Sequence, residues 1–202
     1  MLGLASIVEG KGEVQALPIV LRRLLSEMQA LHVFNILEPI LKPKDKLLRP
    51  AELEHAVDLA SRKIARQGAI LVVLDSDDAL PCDLGPRLLR RAEEAASEIP
   101  VRVVLAHREW ESWYMMAIES LSGKRNLLPK LTPPSDPEAR RDAKGWLTQH
   151  MHAGRAYRPT VDQAAFAATF DLNAARKAPS FSKFCRDVQA LKDEAQRRFP
   201  EG

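Results

Sequence analysis

The stretch 68–78, Gly68-Ala-Ile-Leu-Val-Val-Leu-Asp-Ser-Asp-Asp78, constrains this chain more than any other. Ile70 to Leu74 are all aliphatic, and turn residues follow them directly. A continuous apolar run of this kind predicts a strand buried on both faces of a parallel sheet. Its C-terminal end carries Asp75, Asp77 and Asp78. That is the end at which open parallel sheets bind ligands. While the chain stays extended, Asp75 and Asp77 point to the same side. Two carboxylates so close repel unless a cation or a proton lies between them, and oxygen ligands suit a hard ion such as Mg²⁺. The competing reading is local, since Asp after a strand also starts turns and caps helices.

The flanking chain alternates strand and helix. Leu2 to Val8 reads as a first strand, followed by the Glu9-Gly10-Lys11-Gly12-Glu13 turn. Its glycines allow backbone N–H groups to approach a ligand, but the GxxxxGK[ST] pattern of a phosphate-binding loop is absent. Val14, Leu17, Leu21, Leu24, Leu25 and Met28 have helical spacing, with Pro18 expected in the first turn. Val33 to Leu37 is a short second strand, 42–49 a basic loop, and Pro50 opens a helix carrying Leu53, Val57, Ala60 and Ile64. After the central strand a helix starts at Asp83 or Gly85, with Pro86 near its first position. Val101 to Ala106 is a fourth buried strand. Four strand–helix units predict an α/β fold with a mostly parallel four-stranded sheet flanked by helices.

His107-Arg108-Glu109-Trp110-Glu111 leaves the fourth strand at the same edge as Glu9 and Asp75. A helix then places Trp110, Trp113, Tyr114, Ala117 and Leu121 on one face. Residues two apart on a helix diverge by about 200°. Glu109 and Glu111 therefore cannot both face one site if both are helical, and Glu111, on a more apolar stripe, is the inward candidate. First-turn glutamates favoured by the helix dipole are the alternative. Residues 121–136 form a proline-containing linker, beyond which the pattern is helical only. Ala139, Ala143, Trp146, Leu147 and Met151 mark one helix, another starts near Thr160, and a last one is capped by Ser180. These periods divide the chain into an α/β part, 1–120, and a helical C-terminal extension, 121–202, packed on it. The aromatic stripe of the last helix reads as core. His150 and His152 fit a solvated helix end better than a metal site.

Charge divides at the same place. Residues 1–120 carry 15 basic and 18 acidic side chains, and residues 121–202 carry 15 and 9. An acidic part suited to cations is thus joined to a basic part suited to a polyanion. Lys124, Arg125, Lys130, Arg140, Arg141, Arg155 and Arg158 are the expected phosphate contacts. No apolar run approaches a membrane span, and the N-terminus lacks the pattern of a signal peptide. Cys82 and Cys185, far apart and without metal-ligand spacing, read as free thiols in a reducing cytoplasm.

Val8-Glu9-Gly10 after one strand and Asp75-Ser76-Asp77 after another resemble the Toprim domain of primases, topoisomerases and OLD-family nucleases. The chain also resembles a family of small stand-alone Toprim-like proteins described only as a domain of unknown function. That likeness runs through DSDDALPCDLGPRLL, VVLAHREWESWYMMA, DAKGWL and YRPTVDQ. The resemblance implies a Mg²⁺ (or Mn²⁺) site made by Glu9, Asp75 and Asp77. By likeness to the OLD-type nucleases, Glu111 (or Glu109) supplies a further acid and Lys144 the lysine. The activity that the resemblance implies is metal-dependent phosphodiester hydrolysis in nucleic acid, in a defence or repair system. The alternative is a non-catalytic Toprim binding module in an ATPase-coupled complex. Expected partners are nucleic acid, an ATPase and a second copy in a homodimer, with no membrane.

Overall fold

The computed structural model describes residues 1–200. The order of elements is β1 (Leu2–Val8), α1 (Lys11–Glu27), β2 (Phe34–Ile36), β3 (Ile40–Leu41), α2 (Lys44–Leu47), α3 (Glu52–Lys63), β4 (Gly68–Asp75), α4 (Pro81–Ala95) and β5 (Val101–Ala106). Then come α5 (Glu111–Met116), α6 (Ile118–Leu121), α7 (Ala143–Gln149), a π-helical turn (Pro159–Gln163), α8 (Ala164–Thr169), α9 (Leu172–Ala175) and α10 (Pro179–Arg198). The fold is α/β, with every strand pair parallel and the order β2-β1-β4-β5. β3 pairs the end of β1, Ile7 with Ile40 and Val8 with Leu41.

The central strand is buried on both faces, as its unbroken apolar run predicts. Ala69, Leu71 and Val73 join a core with α1, α5, α8 and α10. Ile70, Val72 and Leu74 join a second core with α3 and α4. Each such aliphatic side chain stabilises the fold by about 1.5–3 kcal/mol relative to exposure. The helices beyond residue 121 therefore share their core with α1 and one face of the sheet. Gly68 begins β4 at φ +145°, and a Cβ there would meet the Gly3 carbonyl oxygen at 1.8 Å, so only glycine fits.

Several boundaries differ from expectation. Pro18 lies in the middle of α1 rather than its first turn, and Pro86 lies well inside α4, which starts at Pro81. Each proline forgoes one intrahelical bond. For the wholly buried Pro18, tertiary packing on the sheet outweighs the loss. Pro50 precedes α3 without opening it, because Ala51 adopts the left-handed region at φ 64°. β3, α2 and α9 are additional elements, too short to leave a periodic signal. The helix expected through Trp110 to Leu121 breaks at Ala117 into α5 and α6. The helix expected from Ala139 is shorter, because Asp142 caps α7 by accepting from the Gly145 N–H at 2.9 Å. Ser180 lies inside α10 and is no cap. Its Oγ accepts from Trp113 Nε1 at 2.7 Å, and its N–H donates to Glu138. Both cysteines are free, Cys82 exposed and Cys185 buried. His150 stacks on Trp146 at 3.9 Å and approaches that residue's carbonyl through Nδ1. Among the described residues no helix is long and apolar enough to cross a membrane.

Candidate functional site

The C-terminal ends of β1, β4 and β5 bring their following residues to one edge of the sheet. Glu9 leaves β1, and its Oε1 accepts from the backbone N–H of Asp75 at the end of β4, 2.5 Å away. Asp75 Oδ1 in turn accepts from the Trp110 N–H at 2.7 Å, tying the segment after β5 to β4. These two bonds place Glu9, Asp75 and the Glu109–Glu111 segment beside one another. The Glu9-Gly10 turn is held by Glu13, whose Oε2 accepts from the Glu9 and Gly10 N–H groups at 3.2 and 3.3 Å. A glutamate at the third helical position commonly does this, and that spacing was the available signal for a residue the motif reading passed over.

Glu109 and Glu111 both face the site. Glu109 is not helical, since α5 begins at Glu111, so the expected divergence does not apply. One ammonium group joins them: Lys144 Nζ lies 2.8 Å from Glu109 Oε2, 2.9 Å from Glu111 Oε2 and 4.0 Å from Asp75 Oδ2. The Glu109 Oε1 also accepts from the Ala143 N–H at 2.8 Å, which anchors the start of α7 to the site. Lys144 thus arrives from the helical C-terminal part into the acidic edge. Tyr157, in the YRPTVDQ segment, lies next to Glu111 and is only 6% exposed.

Asp77 behaves differently. The chain does not stay extended past β4: Asp77 sits in a turn at φ 51°, and its carboxylate binds Lys44 Nζ at 2.7 Å. It lines the same surface cleft as Asp75, Glu109 and Lys144, but as an exposed group at the rim. Asp78 pairs with Arg108 and Arg141 at 3.0 and 2.9 Å. Lys124, Arg125, Lys130, Arg140, Arg155 and Arg158 are exposed, and of the expected phosphate contacts Arg141 is the one that lines the cleft.

The electrostatics follow from burial of like charges. Burial pushes the Glu13 carboxyl up to about 8, reinforced by Glu9 and opposed by the Gly10 N–H. Burial, with Glu111 and Glu13 beside it, raises Asp75 well above the usual carboxylate range. Burial also raises Glu9, against the pull of the Asp75 N–H. For Lys144, burial disfavours the charge, but Glu111, Asp75 and Glu109 outweigh it and hold the ammonium protonated well above the usual lysine range. Glu111 is 1% exposed, with the Lys144 ammonium and the Tyr157 side chain beside its carboxylate. Its 2.9 Å approach to Lys144 is an ion pair at hydrogen-bond distance.

Donor chemistry suits a hard divalent ion: oxygen ligands in excess of positive charge, one of them the buried Glu111 carboxylate. The side chains as placed are not pre-arranged around an ion. Among the described residues no group of three or more His, Cys, Asp or Glu has that geometry. Lys144 instead sits among the carboxylates.

Fold and site together define an α/β protein with a carboxylate cluster, and a lysine set among it, at the C-terminal edge of a parallel sheet. The chain belongs to the family described as Domain of unknown function (DUF4276), whose model matches residues 8–189. No curated protein and no solved structure matches it.

Proposed function

We propose that the protein is a Toprim-type, Mg²⁺- or Mn²⁺-dependent nuclease that hydrolyses phosphodiester bonds in nucleic acid. The observation that carries this reading is the buried Glu111 carboxylate, 2.9 Å from Lys144 and beside Asp75, which in turn neighbours Glu9. Carboxylates buried this close together, even with Lys144 and Lys44 beside them, call for a further cation or for protons. Glu9, Asp75 and Glu111 would hold the ion, and Asp77 would join them only by leaving Lys44. When bound, such an ion polarises a phosphate oxygen and lowers the pKa of its water. The chain's own groups do the rest. Lys144 pairs a non-bridging phosphate oxygen as negative charge grows there. Glu109, anchored by the Ala143 N–H, keeps that ammonium in place. Glu111 orients the attacking water and accepts its proton. The exposed cations from Lys124 to Arg158 draw in the polyanion.

A second reading rests on the same ion pairs. Lys144 already answers Glu109 and Glu111, which suits a non-catalytic module that binds nucleic acid within an ATPase-coupled complex.

Asp75→Asn separates them. The amide keeps the shape, and its Oδ1 still accepts from Trp110, so the fold remains. Cleavage of supercoiled and single-stranded DNA and of RNA in Mg²⁺ or Mn²⁺ falls by a factor of about 10²–10³, on the scale of losing an electrostatic catalytic group. Equal cleavage by wild type and variant removes the site assignment. Binding without cleavage by either protein, with or without an ATPase, selects the module.

A further inference from the structure

β5 is an edge strand, and its edge is not closed by the fold. The Ile70 N–H donates to the Pro100 carbonyl at 2.9 Å, and the Ser76 N–H donates to the Ala106 carbonyl at 2.8 Å. The even-numbered residues of this segment therefore turn their backbone groups toward β4. By the two-residue period of a strand, Val101, Val103 and Leu105 turn theirs outward. Two of the outward carbonyls are met by side chains. Arg102 Nη1 lies 2.8 Å from the Val101 oxygen, and Lys183 Nζ lies 3.1 Å from the Val103 oxygen. The outward N–H groups of Val103 and Leu105 and the Leu105 carbonyl have no hydrogen-bond partner among the described residues.

This edge opens on a groove of about 480 Å³ between α4 and α10. Its two walls differ in chemistry. On the α4 side it is apolar, with Pro81, Pro86 and Leu89; on the α10 side it presents Lys183 and Arg186. Glu138 also lines it, but that side chain is buried, its Oε1 accepting from the N–H and hydroxyl of Ser180 and its Oε2 lying 3.9 Å from His107 Nδ1. We propose that the free edge of β5 is a docking groove for an extended segment of a partner protein that alternates apolar and acidic residues.

The pattern follows from strand geometry. Side chains of an added strand alternate between the sheet faces. One set falls on Pro86 and Leu89, and the next falls toward Lys183 and Arg186. Lys183 is shared at rest between the Val103 carbonyl and Asp187. It covers the edge as lysines do on strands that must not pair at random. A peptide N–H replaces it on the Val103 carbonyl, and the freed ammonium then meets the peptide carboxylate. The groove reaches His107, two residues before Glu109, so a partner docked there stands beside the acidic site. The proposal does not depend on metal binding or on hydrolysis.

The test uses a synthetic peptide of about six residues, a common strand length, alternating valine and glutamate and blocked at both ends. Backbone NMR with hydrogen exchange follows the full-length protein. Saturable shifts are expected along β5, with exchange of the Val103 and Leu105 amides slowed about tenfold or more. An N-methylated peptide, which loses its backbone donors, and a valine–lysine peptide should each bind about tenfold or more weakly, the cost of one good polar contact. Lys183→Glu with Arg186→Glu, both on the exposed side of α10, should reverse the preference between the charged peptides. No shift at millimolar peptide, or equal binding of the acidic and basic peptides, overturns the proposal. So does protection of these amides that rises with protein concentration alone, which assigns the edge to a second copy of the chain.

Discussion

At Lys144, burial and charge oppose each other, and charge wins. The ammonium leaves bulk water yet stays protonated because Glu111, Asp75 and Glu109 surround it. Lys144→Met tests what that cation does. Without it, Asp75, Glu109 and Glu111 lose their shared counter-charge and must take up protons or an ion. Removing one partner of a fully buried pair costs about 3–5 kcal/mol. Lys144 is 41% exposed, and solvent screening reduces the expected loss to about 1–2 kcal/mol. The metal-free variant should therefore melt at a lower temperature than wild type, while Mg²⁺ raises its melting temperature more than it raises that of wild type. Thermal melts across an Mg²⁺ titration decide it. An ion-induced rise no larger than that of wild type means Lys144 and the ion do not share the site.

Among the helices, α1 has the closest approach at a glycine. A Cβ on Gly12 would lie 1.9 Å from Gln163 Oε1 and 2.8 Å from the Pro159 carbonyl oxygen, in the π-helical turn. Gly12→Ala pits two effects against each other. Alanine favours the helix by about 1 kcal/mol, and overpacking costs about 1–3 kcal/mol. The flexible glutamine can swing away, but the Pro159 backbone is fixed, so overpacking should win. Urea unfolding should show a net loss, and a variant more stable than wild type would contradict this packing. The same contact explains part of what the sequence left hidden. The strands were legible, because a run such as Ile70 to Leu74 has few other places to lie. The positions of Pro18 and Pro86 were not, since packing decides whether a helix tolerates proline. The inward turn of Glu109 had no local signal either. It depends on the Trp110 N–H reaching Asp75, a partner on another strand.

On the scale of the whole molecule, the acidic part and the basic part meet at the site through Lys144. Glu9 and Asp75 could be picked out from their places after buried strands, and Lys144 only through likeness, because nothing near it in sequence reveals its carboxylate partners. Asp77 kept its place at the edge but lost the geometry expected of it, because the turn at φ 51° points its carboxylate to Lys44. The same large-scale charge separation yields a prediction about nucleic acid. Lys124, Arg125, Lys130, Arg140, Arg155 and Arg158 are exposed, and Arg141, paired with Asp78, lines the acidic cleft. An exposed pair of that kind is worth about 1 kcal/mol or less, so a phosphate can compete for Arg141 without a large penalty. Each cation that meets a phosphate releases counterions, and the slope of log K against log salt steepens by about 0.9 per contact on duplex DNA. Paired neutralisation, Lys124→Gln with Arg125→Gln, should flatten that slope by about 1–2 units and weaken binding on every sequence alike. Fluorescence anisotropy with a labelled duplex in chelator, from low to physiological salt, measures this without interference from cleavage. A slope near zero in wild type, or one unchanged in the variant, would show that the basic face does not contact nucleic acid.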